Sequence, residues 1–91
     1  VQKAEQVEAI QKLFPGSPVF ICDVEKSSDL QQLPTQVKQH TSELQGFLHS
    51  LAFANFSEGL KPFHETKRED YLQAAQISSF SLVELANALK D

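Results

Sequence analysis

The chain has 91 residues, 41 % of them apolar, which suits one small domain or part of a larger one. Its formal charge of −4 excludes a nucleic-acid surface: the only adjacent basic pair, Lys67-Arg68, runs straight into Glu69 and Asp70. No apolar run approaches the roughly 20 residues that span a bilayer, so no membrane partner is expected, and the lone Cys22 excludes an internal disulfide and fits a reducing compartment.

Val1, Ala4, Val7, Ile10, Leu13 and Phe14 recur at helical spacing and predict an amphipathic helix over residues 1–14. This polar amino end is no signal peptide. It has no cap before it, the chain contains no Met, and the last helical pattern stops with the chain, so residues 1–91 are expected to be a piece of a longer protein. Pro15-Gly16-Ser17-Pro18 ends the helix with turn chemistry. Val19-Phe20-Ile21-Cys22 is a short apolar run between breakers and reads as a strand buried on both faces, closed by Asp23.

Ser27, Ser28 and Asp29 offer a cap for a second helix, with Leu30, Leu33, Val37 and Leu44 on one stripe. Pro34 lies inside that stripe and predicts a kink or a restart of the helix. Gly46 to Ala52 reads as a second strand, and Asn55 to Glu65 as a loop. Thr66 with Glu69 three residues on is a capping-box pattern, opening a helix from Lys67 to Lys90. The order helix-strand-helix-strand-helix predicts an α/β fold with part of a parallel sheet and right-handed crossovers. Two strands make no stable sheet alone, so the pattern asks for more strands than the chain supplies.

In open α/β sheets ligands sit at the carboxyl ends of the strands. Asp23 occupies one such end, either as a ligand contact or as a turn residue; a phosphate-accepting role lacks a second acidic partner. Ser50, Leu51, Ala52, Phe53 and Ala54 occupy the other, either as a crevice wall or as a packed junction, and small side chains there let a flat ligand approach the backbone. Ile77 falls at core spacing on the last helix, among Ser78, Ser79 and Ser81, which are unusual in a helix interior and suit close packing or bound water. His40, His49, His64 and Cys22 fit no metal-ligand spacing. His49 and Ser50 are adjacent on a strand, point to opposite faces and form no dyad; a Gly-x-Ser-x-Gly elbow is also missing. The second half of the last helix is apolar nearly all round, which implies burial on more than one side, in a larger monomer or against a partner.

His49-Ser50-Leu51-Ala52-Phe53-Ala54-Asn55, followed by Leu60-Lys61-Pro62-Phe63-His64-Glu65-Thr66-Lys67-Arg68-Glu69-Asp70-Tyr71-Leu72, resembles the middle of the NADH-dependent enoyl-(acyl carrier protein) reductases of the short-chain dehydrogenase/reductase superfamily. The match runs from the first strand to the carboxyl end. The resemblance implies that residues 1–91 are a single fragment of a dinucleotide-binding Rossmann domain. It implies an oxidoreductase of fatty acid biosynthesis that reduces trans-2-enoyl thioesters, carried on acyl carrier protein, with NADH.

By that resemblance, Asp23 and Val24 meet the adenine ring. Ser50, Leu51 and Ala52 lie beside the ribose and nicotinamide, and Ile77 packs near the cofactor. Phe53, Ala54 and Leu60 line the acyl-substrate pocket. The 67–90 helix joins subunits of a homo-oligomer, a homotetramer, in the cytoplasm or in an organelle stroma. No catalytic residue can be carried over. Gly16, Gly46 and Gly59 are too far apart for the family's Gly-rich turn, and the position seven after Tyr71 is Ser78 where the family's Tyr/Lys pair needs Lys. The alternative is a non-catalytic small α/β binding module that associates through its last helix.

Overall fold

Helices account for all the regular structure among residues 1–90, the residues that the computed structural model describes. A 3₁₀ turn, Ala4–Gln6, leads into α1, Val7–Leu13. The Gln6 side chain reaches back to accept from the backbone N–H groups of Gln2 (3.1 Å) and Lys3 (3.0 Å), which holds the first residues out of the helix. The helix predicted from Val1 therefore forms only in its second half, and α1 buries none of its residues.

Helix α2, Ser27–Lys38, runs through Pro34 as one element, so the helix does not restart there. Its N-cap is Lys26, without a side-chain cap. Asp29 instead turns its carboxylate to the backbone N–H of Asp23, 2.9 Å away. The last helix spans Arg68 to Leu89 in three parts: α3, Arg68–Ala75; a π-helical stretch, Gln76–Phe80; and α4, Ser81–Leu89. Its N-cap is Lys67, one residue later than expected, and no side-chain cap forms; Thr66 donates its hydroxyl to the carbonyl of Phe63 at 2.6 Å, closing the turn Phe63–Glu65.

The expected α/β fold with part of a Rossmann-type parallel sheet is not found. Among the described residues there is no strand: residues 19–22 and 46–52 have no regular structure, and no backbone hydrogen bond joins them. A strand is a property of a pair, since each edge must find a ladder of partners. Val1 supplies two such bonds, its N donating to the Phe20 carbonyl (2.9 Å) and its carbonyl accepting from Cys22 N–H (2.7 Å). Two bonds do not extend into a ladder.

The core is correspondingly thin. Val24, Leu30, Leu33 and Ile77 are the buried apolar residues, with Cys22 and Leu85 packed beside them. Large apolar side chains from the two irregular segments and the loop stay exposed, Leu48 at 88 % and Phe63 at 89 %. The radius of gyration, 15.4 Å, exceeds the value of about 12 Å expected of a compact unit of this length.

Two serines of the last helix hold the irregular segment 49–53 against it. Ser81 is fully buried; its hydroxyl donates to the Ile77 carbonyl at 2.6 Å and lies 2.7 Å from His49 Nε2. A hydroxyl has one proton, so His49 Nε2 is the donor in the second contact. Ser78 Oγ accepts from Phe53 N–H (2.9 Å) and donates to the Phe53 carbonyl (3.1 Å). Serine's tendency to seek backbone partners thus serves the neighbouring segment here. After the segment, Gly59 (φ +84°) turns the loop. Asn55 donates to Asp70 (3.0 Å), and Glu58 pairs with Lys61 and Lys67.

Replacing Ser81 with Ala leaves the His49 N–H and the Ile77 carbonyl short of a partner in the interior. We expect a loss of about 1–3 kcal/mol, read as a lower urea midpoint at unchanged slope; Gln76→Ala, an exposed neighbour, should stay within about 0.5 kcal/mol. The Glu58 carboxyl is held down from its ordinary 4.5 to about 2, first by its hydrogen bonds to Lys61 and Lys67 and then by their charges. A depressed carboxyl favours the folded loop above pH 4.5, and that contribution fades as pH falls toward 2. Side-chain NMR titration should place Glu58 near the lower value at low salt and nearer the ordinary one at high salt, since exposed charges are screened.

Candidate functional site

Residues far apart in sequence meet at one cleft of about 140 Å³. Cys22, Asp23 and Val24 come from the first irregular segment, Leu51, Ala52 and Phe53 from the second, and Ile77 from the π-helical stretch. Asp23, Val24, Leu51, Ala52 and Ile77, all expected at a cofactor, are thus brought together. Ser50 lines an adjoining cleft of about 420 Å³ with Leu51 and Val24. Ala52 and Phe53 also face a wide groove of about 590 Å³, whose other side is Tyr71, Ala74 and Ala75 of α3. Ala54 lies on the same groove, so the expected substrate residues Phe53 and Ala54 are placed together. Leu60 is not with them: it is 89 % exposed and lines none of these clefts, because the Gly59 turn carries it outward.

Asp23 is held as a turn residue and remains able to meet a ligand. Its Oδ1 accepts from Glu25 N–H (3.0 Å), its carbonyl from Lys26 N–H (2.9 Å), and its own N–H is taken by Asp29. Among the described residues Asp23 Oδ2 makes no hydrogen bond, so one carboxylate oxygen of this cleft-lining residue is free to accept. The two sequence readings of Asp23, turn and ligand contact, are therefore compatible. Cys22 is half-buried, and burial first, then the Asp29 charge, pushes its thiol up. It is a neutral wall of the cleft at pH 7 and not a nucleophile.

The cleft has apolar walls, one free carboxylate oxygen, the small Ala52 at the backbone, and Val1 and Gln2 at its edge. That donor set fits a flat, partly apolar ligand carrying an amino group. It offers no acid–base pair, and no group of His, Cys, Asp and Glu among the described residues could hold a metal ion. The strand-end pattern singled out Asp23, Leu51, Ala52 and Phe53, and the family resemblance added Val24 and Ile77. Neither identified the clamps made by Ser78 and Ser81, although both serines stand out in the helix; the available signal was their three-residue spacing, which puts them on one helix face.

The family model for enoyl-(acyl carrier protein) reductase matches residues 1–91. The chain is 35 % identical over 74 residues to the NADH enoyl-(acyl carrier protein) reductase FabI of Bacillus cereus, covering 81 % of this chain and 29 % of that protein. It is 33 % identical over 76 residues to the NADPH enzyme FabI of Staphylococcus aureus, covering 84 % of this chain and 30 % of that protein. Among solved structures, the NADH enzyme of Aquifex aeolicus superimposes with a TM-score of 0.89 at 25 % identity, over 99 % of this chain and 41 % of that one. The Bacillus cereus enzyme with NADP+ and indole naphthyridinone superimposes with a TM-score of 0.76 at 30 % identity, over 92 % of this chain and 34 % of that one. The chain spans about a third or less of the curated relatives it matches. With a family model that matches it from end to end, the chain belongs to the enoyl-(acyl carrier protein) reductase family of the short-chain dehydrogenase/reductase superfamily.

Proposed function

We propose that this chain supplies one wall of the cofactor and substrate sites of an enzyme that reduces trans-2-enoyl thioesters, carried on acyl carrier protein, with NADH in fatty acid synthesis. The observation that carries this reading is the meeting of Asp23, Val24, Leu51, Ala52 and Ile77 at one cleft beside the groove of Phe53 and Ala54. Relatives with NADH and with NADPH in their names support a reduced nicotinamide dinucleotide as the partner.

When bound, the dinucleotide supplies the hydride; the residues of this chain orient it. Asp23 Oδ2 accepts from the adenine amino group, and Val24 and Ile77 give the ring an apolar bed. Ser50, Leu51 and Ala52 lie along the ribose and nicotinamide, where the small Ala52 lets the ligand approach the backbone. Phe53 and Ala54 face the acyl chain. Leu60 receives no role. No Tyr/Lys pair stands at the family's spacing, so no proton transfer is assigned to this chain. Residues 1–91 act as a single part of a larger dinucleotide-binding unit.

Phe80, Leu82 and Val83 lie exposed on the last helix, which supports its use between subunits of a homo-oligomer. The family reading puts the reaction in the cytoplasm or an organelle stroma; no helix among the described residues is long and apolar enough to cross a membrane.

The test uses the complete enzyme that contains this segment. Asp23→Ala removes one hydrogen bond from a charged acceptor and should weaken NADH binding roughly 10- to 100-fold, measured by cofactor fluorescence; an unchanged Kd would sink the adenine assignment. Ala54→Phe fills the groove and should raise KM for the enoyl thioester while the NADH Kd stays put. Steady-state kinetics would reject the groove assignment if both parameters moved together or neither moved.

A further inference from the structure

The Ser78 hydroxyl occupies both backbone groups of one residue in the middle of the proposed site. Phe53 N–H donates to it at 2.9 Å, and it donates to the Phe53 carbonyl at 3.1 Å. This is the pair of bonds that a neighbouring strand would otherwise supply, here made by a side chain. Three residues further on, Ser81 takes the Nε2–H of His49 and anchors its own hydroxyl to the Ile77 carbonyl. The stretch from His49 to Phe53 is thus held at both ends by the π-helical stretch and the residue that follows it. Between those ends lie Ser50, Leu51 and Ala52, which line the clefts.

We propose that Ser78 is a positioning residue for the reaction: its two bonds to Phe53 set where Phe53 and Ala54 stand toward the substrate groove, and Ser81 through His49 sets the other end of the segment. The proposal rests on the reading of function given above. It has a consequence for recognition. With the Phe53 N–H engaged and its carbonyl already holding one bond, Phe53 offers the acyl substrate chiefly its ring, while Ser78 itself also lines the groove. The two bonds at Ser78 are open to solvent, whereas Ser81 is fully buried. Water can replace the Ser78 hydroxyl at little cost to folding, but water does not fix the segment in place. Loss of Ser78 therefore acts on substrate positioning with little effect on the folded state.

The experiment compares Ser78→Ala, Ser78→Thr and Gln76→Ala in the complete enzyme. Gln76 is an exposed neighbour in the π-helical stretch that lines none of the clefts described above. For each variant it reads KM and kcat with a trans-2-enoyl thioester, NADH Kd, and amide hydrogen exchange at Phe53. Ser78→Ala should raise thioester KM roughly tenfold, the loss of about one hydrogen bond, with NADH Kd unchanged and faster exchange at Phe53. Ser78→Thr keeps the hydroxyl and should restore both readouts toward wild type. The proposal is overturned if Phe53 exchange accelerates and KM does not move, since the clamp would then be structural only. It is overturned equally if Ser78→Ala matches Gln76→Ala in every readout. A wild-type enzyme that oxidises no NADH with an enoyl thioester brings down the functional reading and this proposal together, whereas an active wild type with an indifferent Ser78→Ala brings down the positioning role alone.

Discussion

The buried Ser81 hydroxyl joins parts of the molecule that the sequence keeps far apart. It binds the helix that carries it, through the Ile77 carbonyl, to the irregular segment that begins at His49. The Ile77 side chain lies in the small core with Val24 and Leu30 and also faces the cleft with Asp23 and Ala52. Core and site therefore share a residue, and a buried polar pair fixes the backbone of that residue. In a core this thin, one satisfied network counts about as much as one buried side chain. Leaving a buried N–H or C=O unpaired costs about 1–3 kcal/mol, comparable with fully burying one leucine at about 1.5–3 kcal/mol. The bonding also assigns the imidazole: with the single serine proton committed to a carbonyl, Nε2 of His49 carries its own.

The helices were legible where the apolar stripe had something to pack on. Leu30 and Leu33 of α2 were expected inward and are buried. The stripe of residues 1–14 was as regular, yet Leu13 and Phe14 remain exposed and only part of the stretch is helical, because no element covers that face. The capping rule failed at Thr66 because the helix starts one residue later, with Lys67 at the cap position, and the Thr66 hydroxyl closes the preceding turn on the Phe63 carbonyl instead. The strands were the largest departure. Val19 to Cys22 has the composition of a buried strand, but composition says only that a ladder would be welcome, not that a partner is present. Val1 provides two bonds and the rest of both segments none to each other.

The sequence singled out part of the cleft lining even though the expected sheet is absent. Asp23 and Ala52 stood out by their order along the chain, acidic or small after an apolar run, whereas Val24 and the place of Ile77 beside them came only through the family resemblance. That order survives when the run is irregular, since Asp23 is set by its own turn and by Asp29, and Phe53 by Ser78. Leu60 had no such anchor. It follows Gly59, whose positive φ turns the loop, and it lies outside the groove.

The charge distribution at the cleft follows from the same anchors. Asp29 spends one oxygen on the Asp23 N–H, which brings a second carboxylate close to Cys22 and raises the thiol further than burial alone would. The cysteine is kept neutral, and the acidic side chain that faces the cleft is Asp23. A single carboxylate oxygen among apolar walls discriminates by what it can accept. It favours an amino group over a second carboxylate or a phosphate, which it would repel at close range. The cleft therefore suits a ligand that presents an amino group there and is unsuited to a phosphate.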